Sequence, residues 1–308
     1  MITTVTLNVA IDKSYVIDVL KKGEVMRVHE CTKTPGGKGL NVARVIKLCG
    51  EDVLATGIVG GHSGAYVEDL LKKQDIAYDF VHTASETRTC INVLDSEGNS
   101  TEFLEPGDPV SQTELNDLLV KFADMITESD VITISGSVPK GVNIDIYARL
   151  VAMVKEKGKQ VILDTSGDLL KEGIKACPTM IKPNRDEVKA LLNMSVDNWD
   201  ELVAGARKLQ SNGIKYVVVS LGTEGALVVT KDHIYHGKPP CIQPVNTVGS
   251  GDSMVAAFAV GLARKYQVEE MLRYAIAVSA ANTLTMTTGN FKEEDMKVLY
   301  DQVTITHL

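Results

Sequence analysis

The 308-residue chain has no Cys-x-x-Cys pair. Its five cysteines, at 31, 49, 90, 177 and 241, are scattered. That excludes a zinc-ribbon ligand set and a disulfide framework, and it points to free thiols in a reducing cytoplasm. No apolar run approaches the ~20 residues that a membrane span requires. The opening Met1-Ile2-Thr3-Thr4-Val5-Thr6-Leu7-Asn8 has neither a basic stretch nor a small-residue cleavage site, so it reads as a strand and not as a signal peptide. Positive charge is short: 32 Lys and Arg face 40 Asp and Glu, a net charge of −8. This disfavours nucleic acid or an anionic membrane as partner, but local cations can still hold a small anion. The P-loop spacing GxxxxGK[ST] is absent, and so is the dinucleotide pattern GxGxxG, which disfavours a nicotinamide-dependent dehydrogenase. There is no internal repeat, low-complexity tract or Pro/Ser-rich linker.

What is present is the composition of an ordinary globular protein, 44% hydrophobic and 23% charged. Two patterns alternate. Apolar strands at Val53–Val59, Val131–Ile134 and Val161–Leu163 precede amphipathic helices near 63–73, 143–156 and 167–173. Tyr216–Val219 precedes a hairpin-like piece at Gly225–Thr230. Such spacing predicts βαβ units and a mostly parallel sheet covered on both faces. The second pattern is short, part-polar strands without helices: Tyr15–Val19, Met26–Cys31, Thr87–Leu94 and Ser100–Leu104. Asp95-Ser96-Glu97-Gly98-Asn99 is a turn joining the last two. These strands are expected to form a small separate β layer, in excursions near 12–34 and 87–106. Such a layer serves equally as a lid over a cleft or as a plain structural extension. Helices are expected at 252–265, 267–286 and 293–302.

Several segments carry candidate chemistry. Asn246-Thr247-Val248-Gly249-Ser250-Gly251-Asp252-Ser253 leads into an apolar helical run. Glycines at a helix mouth expose backbone N–H groups, and the helix dipole adds to their pull on anions. A carboxylate inside such a nest repels an anion, so Asp252 makes sense as a group that handles a proton. The alternative is plain stabilisation of a helix N-terminus. Thr34-Pro35-Gly36-Gly37-Lys38-Gly39-Leu40-Asn41 precedes a helix at Val42–Leu48 and suits close backbone approach to a polar ligand, or simply a tight turn. Asn8 and Asp12 end the first strand, where α/β sheets bind ligands. Asn184 and Glu187 share a helix face behind Lys182-Pro183, as hard-oxygen donors for Mg²⁺ or as a capping box. Ser220-Leu221-Gly222-Thr223-Glu224-Gly225 suits a nucleotide phosphate or a hairpin turn. Arg27, Lys38 and Arg88 are cations in or beside the small strands, suited to a phosphate or merely solvated. His233 and His236 lack a third ligand and read as surface strand residues.

Together these pieces resemble the PfkB (ribokinase-like) carbohydrate kinases from end to end. The likeness rests on Gly36-Gly37-Lys38-Gly39-Leu40-Asn41-Val42-Ala43-Arg44, on Asn184 with Glu187, and on Asn246 to Ser253. Ser250 stands where the family often has Ala, which leaves its backbone N–H intact. The resemblance implies an α/β three-layer sandwich with a central, mostly parallel sheet and a small β lid, as one kinase domain over 1–308. It implies ATP, Mg²⁺ and phosphoryl transfer to a sugar hydroxyl. Asp252 would be the catalytic base, and Gly249, Ser250 and Gly251 the anion hole. Lys182, Asn184, Ser220, Gly222, Thr223, Gly225 and Asn282 would meet the nucleotide, with Asn184 and Glu187 organising the metal. Asp12, Gly37, Lys38 and Asn41 would hold the sugar, and Arg27, Lys38 and Arg88 a phosphate already on it. Thr4 to Asn8, Thr87 to Ile91, Ile134 to Pro139 and Leu163 to Gly167 resemble the ketohexose-phosphate branch. That implies a ketohexose 1,6-bisphosphate product, with tagatose 6-phosphate favoured over fructose 1-phosphate as acceptor. A non-catalytic sugar or nucleotide sensor on the same fold is the rival of another class. Pairing of the small strands between two subunits would make a homodimer.

Overall fold

The computed structural model describes residues 1–308. Its larger sheet runs β15 (Thr304–His307), β14 (Ile234–Lys238), β13 (Ala226–Val229), β12 (Tyr216–Ser220), β11 (Met180–Ile181), β10 (Gln160–Asp164), β9 (Val131–Ser135), β1 (Ile2–Thr6), β4 (Val53–Gly60), β5 (Ala77–Tyr78), with β6 (Val81–Thr83) also on β4. From β12 to β5 the pairs are parallel; β12 to β15 form an antiparallel extension. The smaller sheet runs β3 (Glu30–Gly36), β2 (Ala10–Ile17), β7 (Arg88–Asp95), β8 (Ser100–Leu104).

Helices cover both faces of the larger sheet. One layer holds α1 (Lys38–Leu48), α2 (Gly61–Lys73), α8 (Ser250–Ala263), α9 (Val268–Thr283) and α10 (Glu293–Gln302). The other holds α3 (Gln112–Glu128), α4 (Ile146–Glu156), α5 (Gly167–Gly173), α6 (Arg185–Leu192) and α7 (Trp199–Gln210). Alternation along β12 divides its valines between the two cores: Val218 faces one, Val217 and Val219 the other. The α8 helix is apolar all round, and every residue from Asp252 to Leu262 is buried. A helix of that kind has to sit inside the molecule. Its N-terminus therefore meets the carboxyl ends of the parallel strands, the edge where open α/β sheets take ligands.

Several boundaries differ from expectation. The small-sheet strand expected at Tyr15–Val19 is Ala10–Ile17, so Asp12 lies in the smaller sheet and not at the end of β1. The strand expected at Met26–Cys31 is Glu30–Gly36. Residues 18–30 are exposed throughout, with Gly23 at φ +84, and Val25 and Met26 pair with no strand. The helix expected from Val42 starts at Lys38, because Gly37 takes the N-cap position at φ 95 and its carbonyl accepts from Leu40 and Asn41. Lys38 and Asn41 thus stand on the helix itself. Similarly α8 begins at Ser250 and α9 ends at Thr283.

Candidate active site

A cleft of about 500 Å³ opens between the carboxyl ends of the larger sheet and the smaller sheet. Asp12, Gly37, Lys38, Asn41, Arg88, Gly249, Gly251 and Asp252 all line it. The smaller sheet supplies two cross-strand rows to its wall. One is Thr34–Asp12–Cys90–Leu104; the next is Thr32–Ser14–Asn92–Glu102. Period-two alternation puts each row on one face of the sheet.

Two helix N-termini meet here. Gly249 caps α8 in the left-handed region at φ 80, where an L side chain is strained. A Cβ there would also lie 2.6 Å from Thr288 Cγ2. Ser250 N–H and Ser253 N–H are taken by the Thr247 and Gly249 carbonyls. The N–H groups of Gly251 and Asp252 have no acceptor within the protein and are free for an anion. Lys182 Nζ adds positive charge, 3.4 Å from where a Gly251 Cβ would stand. At the other helix, Gly39 passes so close to β1 that a Cβ would fall 2.2 Å from Thr6 Oγ1. That contact brings Asn41 to Asp252, and Asn41 Nδ2 donates to Asp252 Oδ2 at 2.9 Å.

The charges in the cleft are arranged in pairs. Asp164, buried at the end of β10, takes Lys182 Nζ at 3.3 Å and Lys38 Nζ at 3.5 Å. Burial opposes its charge, but the two lysines together outweigh burial and hold the carboxyl below its ordinary range. Lys38 is held protonated, mainly by Asp164. Asp252 is pushed upward by burial, against the pull of Lys38 and the Asn41 hydrogen bond. Burial also pushes Asp12 up to about 6, with Arg44 and the Gly37 N–H opposing. A Cβ on Gly36 would fall 2.2 Å from the Asp12 carboxyl, so this close packing needs glycine.

The remaining expected residues divide four ways. Asn184, Glu187, Ser220, Gly222, Thr223 and Gly225 lie outside the cleft lining, on the segments at the carboxyl ends of β11 and β12. An isolated bridge from Asn184 to Ser220 joins their two segments. The β12–β13 link is the hairpin turn, with Gly222 at φ +58 and Gly225 at φ +86. Asn184 and Glu187 form a capping box: Asn184 Oδ1 accepts from Glu187 N–H at 2.9 Å and Glu187 Oε2 from Asn184 N–H at 2.8 Å. Glu187 Oε1 stays outside that box. No three His, Cys, Asp or Glu side chains converge as a metal cage. Mg²⁺ in phosphoryl transfer takes most of its ligands from phosphate and water, with one or two protein carboxylates. The Asn184–Glu187 pair fits that mode.

Asn282 lies behind the nest, fully buried. Its Nδ2 donates to the Val248 carbonyl at 3.1 Å and its Oδ1 accepts from Asn290 N–H at 3.2 Å, so both ends brace loops. Arg27 sits in the exposed 18–30 segment and does not reach the cleft of its own chain. Arg88 lines the cleft, yet it donates to the Asn8 carbonyl at 3.0 Å and the Glu105 carbonyl at 2.7 Å.

Two residues without an assigned role prove central. Asp164 carried a legible signal, a carboxylate at a strand's carboxyl end. Arg44 carried a fainter one, a cation inside the apolar run Val42-Ala43-Arg44-Val45-Ile46.

Comparison with known proteins agrees with this fold. Residues 5–295 match the pfkB family carbohydrate kinase. A tagatose-6-phosphate kinase of Staphylococcus epidermidis is 41% identical over 308 residues, covering 99% of both chains. Phosphofructokinase-2 from Escherichia coli, solved with potassium, is 30% identical and superposes with a TM-score of 0.91 over 98% of each chain. A Thermotoga maritima protein described as a possible 1-phosphofructokinase is 27% identical, with a TM-score of 0.92 over 100% of this chain and 99% of that one. The chain belongs to the pfkB family of carbohydrate kinases.

Proposed function

We propose that the protein transfers the γ-phosphoryl group of ATP to the C1 hydroxyl of tagatose 6-phosphate, giving tagatose 1,6-bisphosphate. The observation that carries this reading is Asp252, a carboxylate set among free α8 N–H groups and held by Asn41 at the floor of a sugar-sized cleft. Asp252 takes the proton of the attacking hydroxyl. The Gly251 and Asp252 N–H groups and the Lys182 ammonium offset charge building on the transferred oxygens, where loose transition states concentrate it. Asp12 and the neighbouring polar rows hold sugar hydroxyls. Asn184 and Glu187 would hold Mg²⁺, which would supply further neutralisation of phosphate charge. The smaller sheet serves as a lid, so that residues 1–308 act as one catalytic unit. The free thiols and the use of ATP suit the cytoplasm.

Lys13, Lys38 and Arg88 are the cations lining the cleft, and of these the family resemblance assigns Lys38 and Arg88 to a phosphate already on the sugar. Arg27 joins them only if a second copy packs on the smaller sheet. Exposed Val25 and Phe103 support such a homodimer. The identity to a tagatose-6-phosphate kinase favours tagatose 6-phosphate. The fold match to the possible 1-phosphofructokinase of Thermotoga maritima supports fructose 1-phosphate as the second reading. A coupled ADP-release assay separates them. Turnover with tagatose 6-phosphate supports the first, preference for fructose 1-phosphate the second. Binding without ADP release contradicts both and favours a sensor.

A further inference from the structure

Arg44 is a buried cation whose hydrogen-bond partners are all neutral. It stands on α1 among fully buried Val42, Ala43, Val45 and Ile46. Its Nη2 donates to the Pro35 carbonyl at 2.6 Å, and its Nη1 to the Thr288 carbonyl at 2.7 Å and to Asn41 Oδ1 at 3.2 Å. Its Nε donates to Gln74 Oε1 at 3.3 Å. Burial pulls the guanidinium down to about 10, against the fields of Asp12 and Asp252. The chain also makes room for it, since a Cβ on Gly289 would lie 3.0 Å from Nη1. A buried charge without a carboxylate partner is a poor stabilising device, because an apolar residue of similar volume does as well or better. Its acceptors explain its presence.

Pro35 is at the end of β3, where the smaller sheet joins α1. Thr288 packs against Gly249 at the nest. Asn41 is the group that holds Asp252. With its Oδ1 taken by Arg44, the Asn41 amide can turn only its N–H toward the Asp252 carboxylate. A flipped amide would set oxygen against oxygen. One planar, five-donor group thus fixes the reacting carboxylate, the nest wall and the root of the smaller sheet at one point. A lysine carries the same charge but cannot span those acceptors.

We propose that Arg44 is a positioning residue for the phosphoryl transfer: through Asn41 it aims the Asp252 carboxylate, and through Thr288 and Pro35 it locks the nest and the smaller sheet to that aim. This rests on the reading of Asp252 as the base.

Three variants of the full chain test it: Arg44→Lys, Arg44→Met and Asp252→Asn, each checked for folding by circular dichroism. Misplacing a reacting group by about 1 Å costs on the order of 10²-fold. Arg44→Lys is therefore expected to lower kcat by about 10- to 100-fold, with the KM for ATP unchanged. Asp252 faces Lys38, Lys182, Asp164 and Asn41, and Asp12 faces Arg88 and Asp252. The Arg44 charge acts on both carboxyls, on Asp12 more than on Asp252. Arg44→Met is expected to lower kcat as well and to move the acid limb of kcat to higher pH. Arg44→Lys keeps the charge and leaves that limb in place. A folded Arg44→Lys enzyme with normal kcat, or with a raised KM alone, overturns the proposal. Where neither Arg44 variant folds, exchange of the Arg44 Nε–H in the unaltered enzyme decides by NMR: slow exchange supports the clamp, fast exchange overturns it. An active Asp252→Asn overturns the base reading itself. An inactive Asp252→Asn beside fully active Arg44 variants overturns the positioning role alone.

Discussion

At the residue scale, two carboxylates carry separate proposed tasks, Asp252 taking a proton and Asp12 holding sugar hydroxyls. Replacing Asp252 by Asn keeps the shape and the Asn41 neighbour but removes the proton acceptor. Steady-state kinetics should record a kcat loss on the order of 10²–10⁴, the usual span for a positioned base. The role proposed for Asp12, accepting hydrogen bonds from sugar hydroxyls, is served best by its carboxylate form, and burial pushes the carboxyl up to about 6 against the pull of Arg44. Acceptor kcat/KM should therefore fall as the pH drops through about 6, and the Asp12→Asn variant should lose that limb. Asp252 was legible in the sequence because it contradicts its surroundings, an acid placed where the backbone attracts anions. Asp164 stood legibly at a strand's carboxyl end, and Arg44 more faintly inside an apolar run, but neither showed its task. Their roles depend on Lys38, Lys182, Asn41 and Thr288, which only the folded chain brings alongside.

At the element scale, the parallel strands and their helices were legible because burial on both faces writes continuous apolar runs. In the smaller sheet, β7 and β8 stand within one residue of expectation, whereas β2 and β3 lie several residues away from it. Val25, Met26 and Val28 have strand-like side chains, but their backbone finds no partner, whereas the polar run Thr32-Lys33-Thr34 pairs with β2. Partnering decided the outcome there, and local preference did not. The α8 N-terminus makes a firm prediction. Gly249→Ala imposes a left-handed alanine, a strain of about 1–2 kcal/mol, and a Cβ 2.6 Å from Thr288 Cγ2. Its kcat should fall on the order of 10²-fold, as when one anion-hole donor is displaced. A second prediction concerns β9. Thr133 is fully buried and its Oγ1 has no hydrogen-bond partner. Thr133→Val keeps the shape and removes an unsatisfied hydroxyl, so thermal unfolding should report a gain of about 1 kcal/mol.

At the scale of the whole molecule, the two-sheet plan explains why a net charge of −8 is compatible with an anionic substrate. Lys38 and Lys182 are gathered on Asp164, and Arg88 lines the same cleft, away from the acidic exterior. The sequence pattern carried the plan of alternating strands and helices, but not the distances that bring two helix N-termini together. It placed Arg27 with the other cations, whereas the fold sets it outside the cleft. Sedimentation should therefore find a dimer, with Phe103→Asp and Val25→Asp shifting it to monomer and Arg27→Ala raising the acceptor KM. The most direct test of the account compares kcat/KM for ATP-dependent phosphorylation of tagatose 6-phosphate, fructose 1-phosphate, fructose 6-phosphate and unphosphorylated ketohexoses. The predicted result is the highest value with tagatose 6-phosphate and little turnover of any sugar lacking a phosphate. A preference for an unphosphorylated sugar would contradict it.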